Sequence, residues 1–314
     1  MERESTIGLL DSLQDVLGRE RTKRDEPLAR CTTFKIGGPA DLFYVATTAD
    51  ELARAVLAAR THRLPYFVLG TGANVLIGDR GIRGLVIKND ARQITLLAGN
   101  QVRAASGGSV ARLIAFAMEH ALSGLEHFAG IPSSVGGALW QNLHFLAPER
   151  THTVYIAECL AGATILAEDG TIGDVPPEYF QFGYDDSILH HCQDVVLSAT
   201  LCLVPREAAL IQQVIDANLR WRRERHPDLH SFPNAGSIFK KIEGAGAGRL
   251  IDQCGLKGLI IGGAQVSPRH ANFIVNLGGA TARDVLALVA LCQARVRERF
   301  GLTLEMEIGR VGEF

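Results

Sequence analysis

The chain has 314 residues, a formal net charge of −2 and an apolar share of 47%. That length holds one large domain or two ordinary ones, with a real core. The near-neutral balance gives no electrostatic footprint for nucleic acid or a membrane surface, and no apolar run approaches the ~20 residues of a membrane-spanning helix.

The N-terminal stretch is heavily charged and lacks the apolar core of a signal peptide. Ile7, Leu10, Leu13 and Leu17 fall on one face of a short helix. Leu42 to Val45 reads as a strand. Thr48-Ala49-Asp50-Glu51 has the form of a capping box, and Leu52, Ala55, Val56 and Ala59 continue one helical face. Tyr66 to Leu69 and Leu85 to Lys88 are strand-like. Ile94 to Ala98 and Val102 to Ala105 form a pair around Gly99-Asn100. Ser106-Gly107-Gly108-Ser109 opens a helix carrying Val110, Leu113, Ile114 and Ala117. Ala163 to Ala167 and Val195 to Leu203 are further strands. Arg206 to Arg225 reads as a helix with Ile211, Val214, Ile215 and Leu219 facing inward, and its Arg220 to Arg225 cluster as a solvated helix end. A second helix starts at Thr281-Ala282-Arg283-Asp284 and faces inward through Val285, Leu288, Cys292, Val296 and Phe300. Leu304 to Val311 reads as a closing strand. The expected division is an N-terminal extension over 1–24, a domain over 25–205 and a second over 206–314.

Cys31, Cys159, Cys192, Cys202, Cys254 and Cys292 include no CxxC pair. They read as reduced, small apolar side chains in a cytoplasmic protein, with no zinc site and no dithiol. His127 and His144 lack a third ligand at metal spacing, so no metal is expected.

Two glycine loops stand next to apolar runs. Gly70, Thr71, Gly72, Ala73, Asn74, Val75 and Leu76 follow the strand-like Tyr66 to Leu69. Gly130, Ile131, Pro132, Ser133, Ser134, Gly136 and Gly137 follow Leu122 to Phe128. Glycine lets the backbone take φ > 0 and lets a ligand approach the main chain. Amides converging on one spot suit an anion such as a pyrophosphate. One such loop is often only a tight turn; two point to a long diphosphate cofactor. No GxGxxG follows an early strand and no P-loop lysine occurs, which argues against a Rossmann domain.

Seven phrases occur in order: CTTFKIGGPADLF from Cys31, LGTGANVLIGDRGIRGLVIK from Leu69, GLEHFAGIPSSVGGALWQN from Gly124, NAGSIFKK from Asn234, GRLIDQCGLKG from Gly248, IGGAQVSPRHANFIVN from Ile261 and LEMEIGRVG from Leu304. Together they resemble the UDP-N-acetylenolpyruvoylglucosamine reductase family, over nearly the whole chain from about residue 25. The spacing is similar to the shorter form of that family.

The resemblance implies an α+β fold: a vanillyl-alcohol-oxidase (PCMH)-type FAD-binding domain of two subdomains, then a substrate domain. It implies FAD held by the two glycine loops, with Ser106 and Gly107 as further contacts, and NADPH as hydride donor. It implies a sugar-nucleotide substrate, a monomer, Ser237 as proton donor and Glu307 as the closing acid. Tyr184, Asp185, Lys240, Lys241, Gln265 and Asn272 are the implied substrate-side positions; for Gln265 and Asn272, packing is an equal alternative.

The family pattern is broken in three places. Asp185 stands in FGYDDS where the family usually has an arginine, a cation that would steady a developing enolate. Losing such stabilisation costs on the order of a hundred- to thousandfold in rate. Lys241 replaces a usual asparagine, and Leu143-His144-Phe145 replaces a glycine- and alanine-rich run. The expectation is that Lys241 supplies the charge Asp185 cannot. The alternatives are another flavin oxidase on the same fold, or a flavin-binding relative with lost or changed activity.

Overall fold

The computed structural model describes residues 2–242 and 244–314, with side chains described from residue 8 onward. Its seven α-helices are α1 (Glu2–Leu17), α2 (Ala49–Thr61), α3 (Val110–Glu119), α4 (Val135–Trp140), α5 (Ala208–Arg225), α6 (Ala247–Gln253) and α7 (Ala282–Phe300). The chain forms two compact units. One comprises Met1–Thr22, Tyr44–Thr71 and Ile87–Arg222; the other comprises Lys23–Phe43, Gly72–Val86 and Arg223–Phe314. Both units are discontinuous in sequence: the strands Pro39–Ala46 and Ile82–Asn89 each start in one and finish in the other.

The first unit is built on a five-stranded antiparallel sheet. Its order is Ile172–Val175, Leu160–Leu166, Val195–Cys202, Gln101–Ala105, Ile94–Leu96. Inward positions alternate along the central strand, where Leu197, Ala199 and Leu201 are buried. α3 and α4 place Val110, Leu113, Val135 and Leu139 in the same core. Gly99 and Asn100 both take φ > 0, which closes the expected hairpin. On α1, Leu10, Leu13 and Leu17 are buried as expected; the Ile7 side chain lies outside the described residues.

The Thr48 motif is half of a capping box. The Thr48 hydroxyl accepts from the Glu51 amide, but Glu51 turns back to Thr47 and to Arg21 rather than to the Thr48 amide. α5 also departs from expectation. It starts at Ala208, and of its inward positions only Ile211 is buried, while Val214, Ile215 and Leu219 are half-buried. Its other buried residue is Asn218, whose amide donates to His127 O at 3.1 Å and accepts from Arg150 at 3.0 Å.

The second unit packs α6 and α7 on the antiparallel strands Ile260–Ile261, Ala264–Val266 and Ile274–Asn276. α7 presents Val285, Leu288, Cys292 and Val296 to a core shared with Ile238, Phe239 and Leu250. Only Gly309–Val311 of the expected closing strand joins a ladder, parallel to Val75–Ile77.

The start of α7 is satisfied twice over. Thr281 and Asp284 form a full capping box. Asp79 then accepts from the Ala282 amide at 2.6 Å and the Arg283 amide at 3.1 Å. Its carboxylate thus complements the helix dipole. Asp79→Ala leaves two amides of the first turn without their acceptor and is expected to lower stability by about 1–2 kcal/mol, read from urea unfolding.

Candidate functional site

In the first unit the Gly130 loop is clasped against Ser106–Ser109. The Val110 amide donates to Ser133 O at 2.9 Å, and the Val135 amide to Gly108 O at 2.8 Å. The Gly136 amide donates to Ser106 O at 2.7 Å. Ser109 and Ser134 therefore form a narrow bridge whose own amides lie outside it. Both serines cap helices: Ser109 accepts from Arg112 N and Ser134 from Gly137 N. Asn89 anchors the clasp by donating to the Ser106 hydroxyl at 2.8 Å.

The other glycine loop touches this clasp. Thr71 donates its hydroxyl to Pro132 O at 2.7 Å. Gly70 is required there, since a Cβ would lie 2.3 Å from Ser134 Oγ. At Gly107 a Cβ would lie 2.4 Å from Asn89 Oδ1 and 2.6 Å from Ala91 N. These glycines are fixed by close approach of the protein's own atoms. Gly72 to Leu76 belong to the second unit, where Gly72 lies against Cys31 and Thr32.

In the second unit two segments run side by side. The Glu307 amide donates to Ile238 O at 2.8 Å and the Lys240 amide to Glu305 O at 2.9 Å, with Phe239 opposite Met306. Ile238 and Glu307 are therefore opposite each other across a short antiparallel pairing, and Ser237 precedes Ile238 in the chain. Asn272 fixes this segment from behind. Its Oδ1 accepts from Phe239 N at 3.0 Å, and its Nδ2 donates to Phe239 O at 2.9 Å. Gln265 donates to Gly258 O at 3.1 Å. Lys240 lies 3.7 Å from the exposed Glu305, and Lys241 is exposed. Glu307 is half-buried.

A family model described as the C-terminal domain of UDP-N-acetylenolpyruvoylglucosamine reductase matches residues 227–311, and one described as an FAD binding domain matches residues 40–175. The UDP-N-acetylenolpyruvoylglucosamine reductase of Exiguobacterium sibiricum is 38% identical over 308 residues, 98% of this chain and 99% of that protein. The enzyme of that name from Clostridium botulinum strain Hall is 38% identical over 96% of this chain and 95% of its own length. A solved structure, the MurB reductase from Thermus caldophilus, is 34% identical with a TM-score of 0.77, covering 93% of this chain and 99% of its own. The chain belongs to the UDP-N-acetylenolpyruvoylglucosamine reductase family. With that, the expected α+β class stands: an FAD-binding domain and the reductase's C-terminal domain.

Within this reductase-family chain, sequence reasoning missed Arg222. The Arg220 to Arg225 cluster is not uniformly solvated. Arg222 is half-buried, with its guanidinium beside Gly130, where a Cβ would come within 3.2 Å of its Nε, and 5.1 Å from the Phe145 ring centroid. Burial pushes its pKa down to about 10, with no anion opposing the shift. Among the described residues it has no ion-pair or hydrogen-bond partner. A half-buried, unpaired cation at a glycine loop fits an anionic group such as a diphosphate. The signal available in sequence was positional: residue 222 falls four after the buried Asn218, on the inner face of α5.

Asp185 is buried in the first unit in a tight turn, with φ of 54°, and His144 Nδ1 lies 3.7 Å from its Oδ1. Lys241 lies in the second unit. Tyr184, next to Asp185, is exposed. Among the described residues no group of three histidine, cysteine or acidic side chains is placed to hold a metal, and no helix is long and apolar enough to cross a membrane.

Two outcomes follow from these buried bases. Arg222→Met removes an uncompensated charge and is expected to raise the stability of the ligand-free chain by about 1 kcal/mol, measured by urea unfolding. Burial also holds His127 and His270 below their ordinary value of 6.5. The unfolded chain then takes up protons first, so stability is intact above about pH 6.5 and falls as the pH drops through that value. Equilibrium unfolding between about pH 7 and 5 checks the slope, and His270→Gln should flatten it.

Proposed function

We propose that this chain is an NADPH-dependent flavoenzyme that reduces UDP-N-acetylglucosamine enolpyruvate to UDP-N-acetylmuramate for peptidoglycan synthesis. The observation that carries this reading is the end-to-end correspondence with reductases of that name, 98% of this chain against 99% of the relative. FAD, when bound, supplies hydride transfer from NADPH to the enolpyruvyl double bond.

The protein's part is to hold, orient and protonate. Gly70 to Leu76 and Gly130 to Gly137, with Ser106 and Gly107, are assigned to the FAD diphosphate, and Arg222 adds the cation. The contacts of Thr71 with Pro132 and of Gly70 with Ser134 support one shared ligand for the two loops. Ser237 is assigned as the proton donor to the carbon left electron-rich by hydride addition, and Glu307 as the closing acid. Asn272 is a positioning residue for that strand. Tyr184, Lys240, Lys241 and Gln265 are assigned to the substrate side, within a substrate domain over 206–314 that follows the FAD-binding stretch 25–205. The protein is proposed to act as a cytoplasmic monomer.

Anaerobic mixing separates the two half-reactions. NADPH should bleach the flavin absorbance, and the enolpyruvyl sugar nucleotide should restore it without oxygen. Ser237→Ala should keep the first step and slow the second by about a hundredfold or more. Equal reoxidation in the variant would remove Ser237 from the mechanism, and no reoxidation of the wild-type protein would remove the reductase reading.

A further inference from the structure

Two of the breaks in the family pattern meet in space. His144 stands in the run where small residues are usual, Asp185 stands where the arginine is usual, and their side chains face each other within the first unit. The Asp185 side chain is 2% exposed, and His144 Nδ1 is 3.7 Å from its Oδ1. Asp185 Oδ2 has no hydrogen-bond partner among the described residues, and neither does the buried Oδ1 of Asn142. A carboxylate this deep is costly unless a charge offsets it. The positive φ at 185 suits aspartate, which tolerates the left-handed region better than most side chains.

His144 is held from several sides. Its Nδ1 also lies 3.3 Å from Asn142 O. The Asn142 carbonyl, with the Asp185 carboxylate further off, holds one proton on Nδ1, so that in the protonated ring Nε2 carries the other and can donate to a further group. The ring lies 5.2 Å from Tyr155 and 4.9 Å from Tyr184, centroid to centroid. Aromatic faces of this kind also favour a cation. The titratable groups against the imidazole are thus Asp185, Tyr155 and Tyr184. Asn142 completes the frame by donating to Gly183 O at 2.9 Å.

We propose that His144 recognises the carboxylate of the substrate through Nε2, and that Asp185 is the positioning residue that holds the imidazole for it. This rests on the reductase reading. It makes the Asp185 change part of a paired substitution: the cation moves from the turn to the facing strand, and a carboxylate fills the turn position to support it. Unlike a lone arginine, the pair is electrically neutral when His144 is protonated, so its attraction is local and directional.

The test compares two sugar nucleotides that differ by the enolpyruvyl group: UDP-N-acetylglucosamine and its enolpyruvyl ether. Binding to the oxidised, FAD-loaded protein is measured by calorimetry, with flavin content as the fold control. Wild type should prefer the carboxylate-bearing ligand by about tenfold or more. His144→Gln and the near-isosteric Asp185→Asn should each lose most of that preference. The double variant should be no worse than either single change, because Asp185 acts through His144. Full preference in His144→Gln, or independent additive losses, would overturn the proposal. If wild type binds neither nucleotide, the reductase reading fails, and a second measurement still decides the pairing. In nitrogen-15 spectra Asp185→Asn must shift the His144 ring signals. Unchanged signals mean that Asp185 does not hold His144.

Discussion

The first unit depends on one backbone clasp. Ser106–Val110 and Ser133–Gly136 exchange three amide hydrogen bonds, and a Cβ on Gly70 would lie 2.3 Å from Ser134 Oγ. Each hydrogen bond contributes only about 1 kcal/mol net. Their effect is geometric: three loops from distant parts of the chain are tied together, and two serine hydroxyls are committed to capping the helices that leave the clasp. The core strands behind the clasp hold it rigid, since Ser106 N donates to Leu197 O on the central strand at 3.0 Å.

Charge is distributed around that clasp in an economical way. Arg222 is half-buried without an anion, and Asp185 is enclosed with only a histidine near it. Either would be a liability in a purely structural core. Glu126 shows how this protein treats a buried acid that is structural: Ser123 donates to it at 2.5 Å, Gly124 N at 2.7 Å, and Arg206 lies 3.6 Å away. Glu126 is fully satisfied, whereas among the described residues Arg222 has no anion and Asp185 Oδ2 has no hydrogen-bond partner.

The second unit solves a different problem. Ser237 and Glu307 are seventy residues apart in sequence and sit on segments too short to count as strands, so their placement rests on a few backbone bonds and on Asn272. A two-ended amide at Asn272, satisfied by both backbone groups of Phe239, gives the segment a defined register without a full ladder.

The sequence alone determined the periodic elements. The faces of α1, α3 and α7, the Gly99-Asn100 hairpin and the Thr281 capping box were legible because each is a local pattern of burial or capping. The glycine loops and the family were legible from motifs. Only the tertiary structure decided what crosses between distant segments: that residues 23–43 and 72–86 group with the C-terminal part, that Arg222 is half-buried rather than solvated, and that Asp185 faces His144 rather than standing alone. The physical reason is the same in each case. Periodicity reports which face of an element avoids water, whereas the partner across that face, or the charge left unpaired within it, is set by packing between stretches that no local pattern connects.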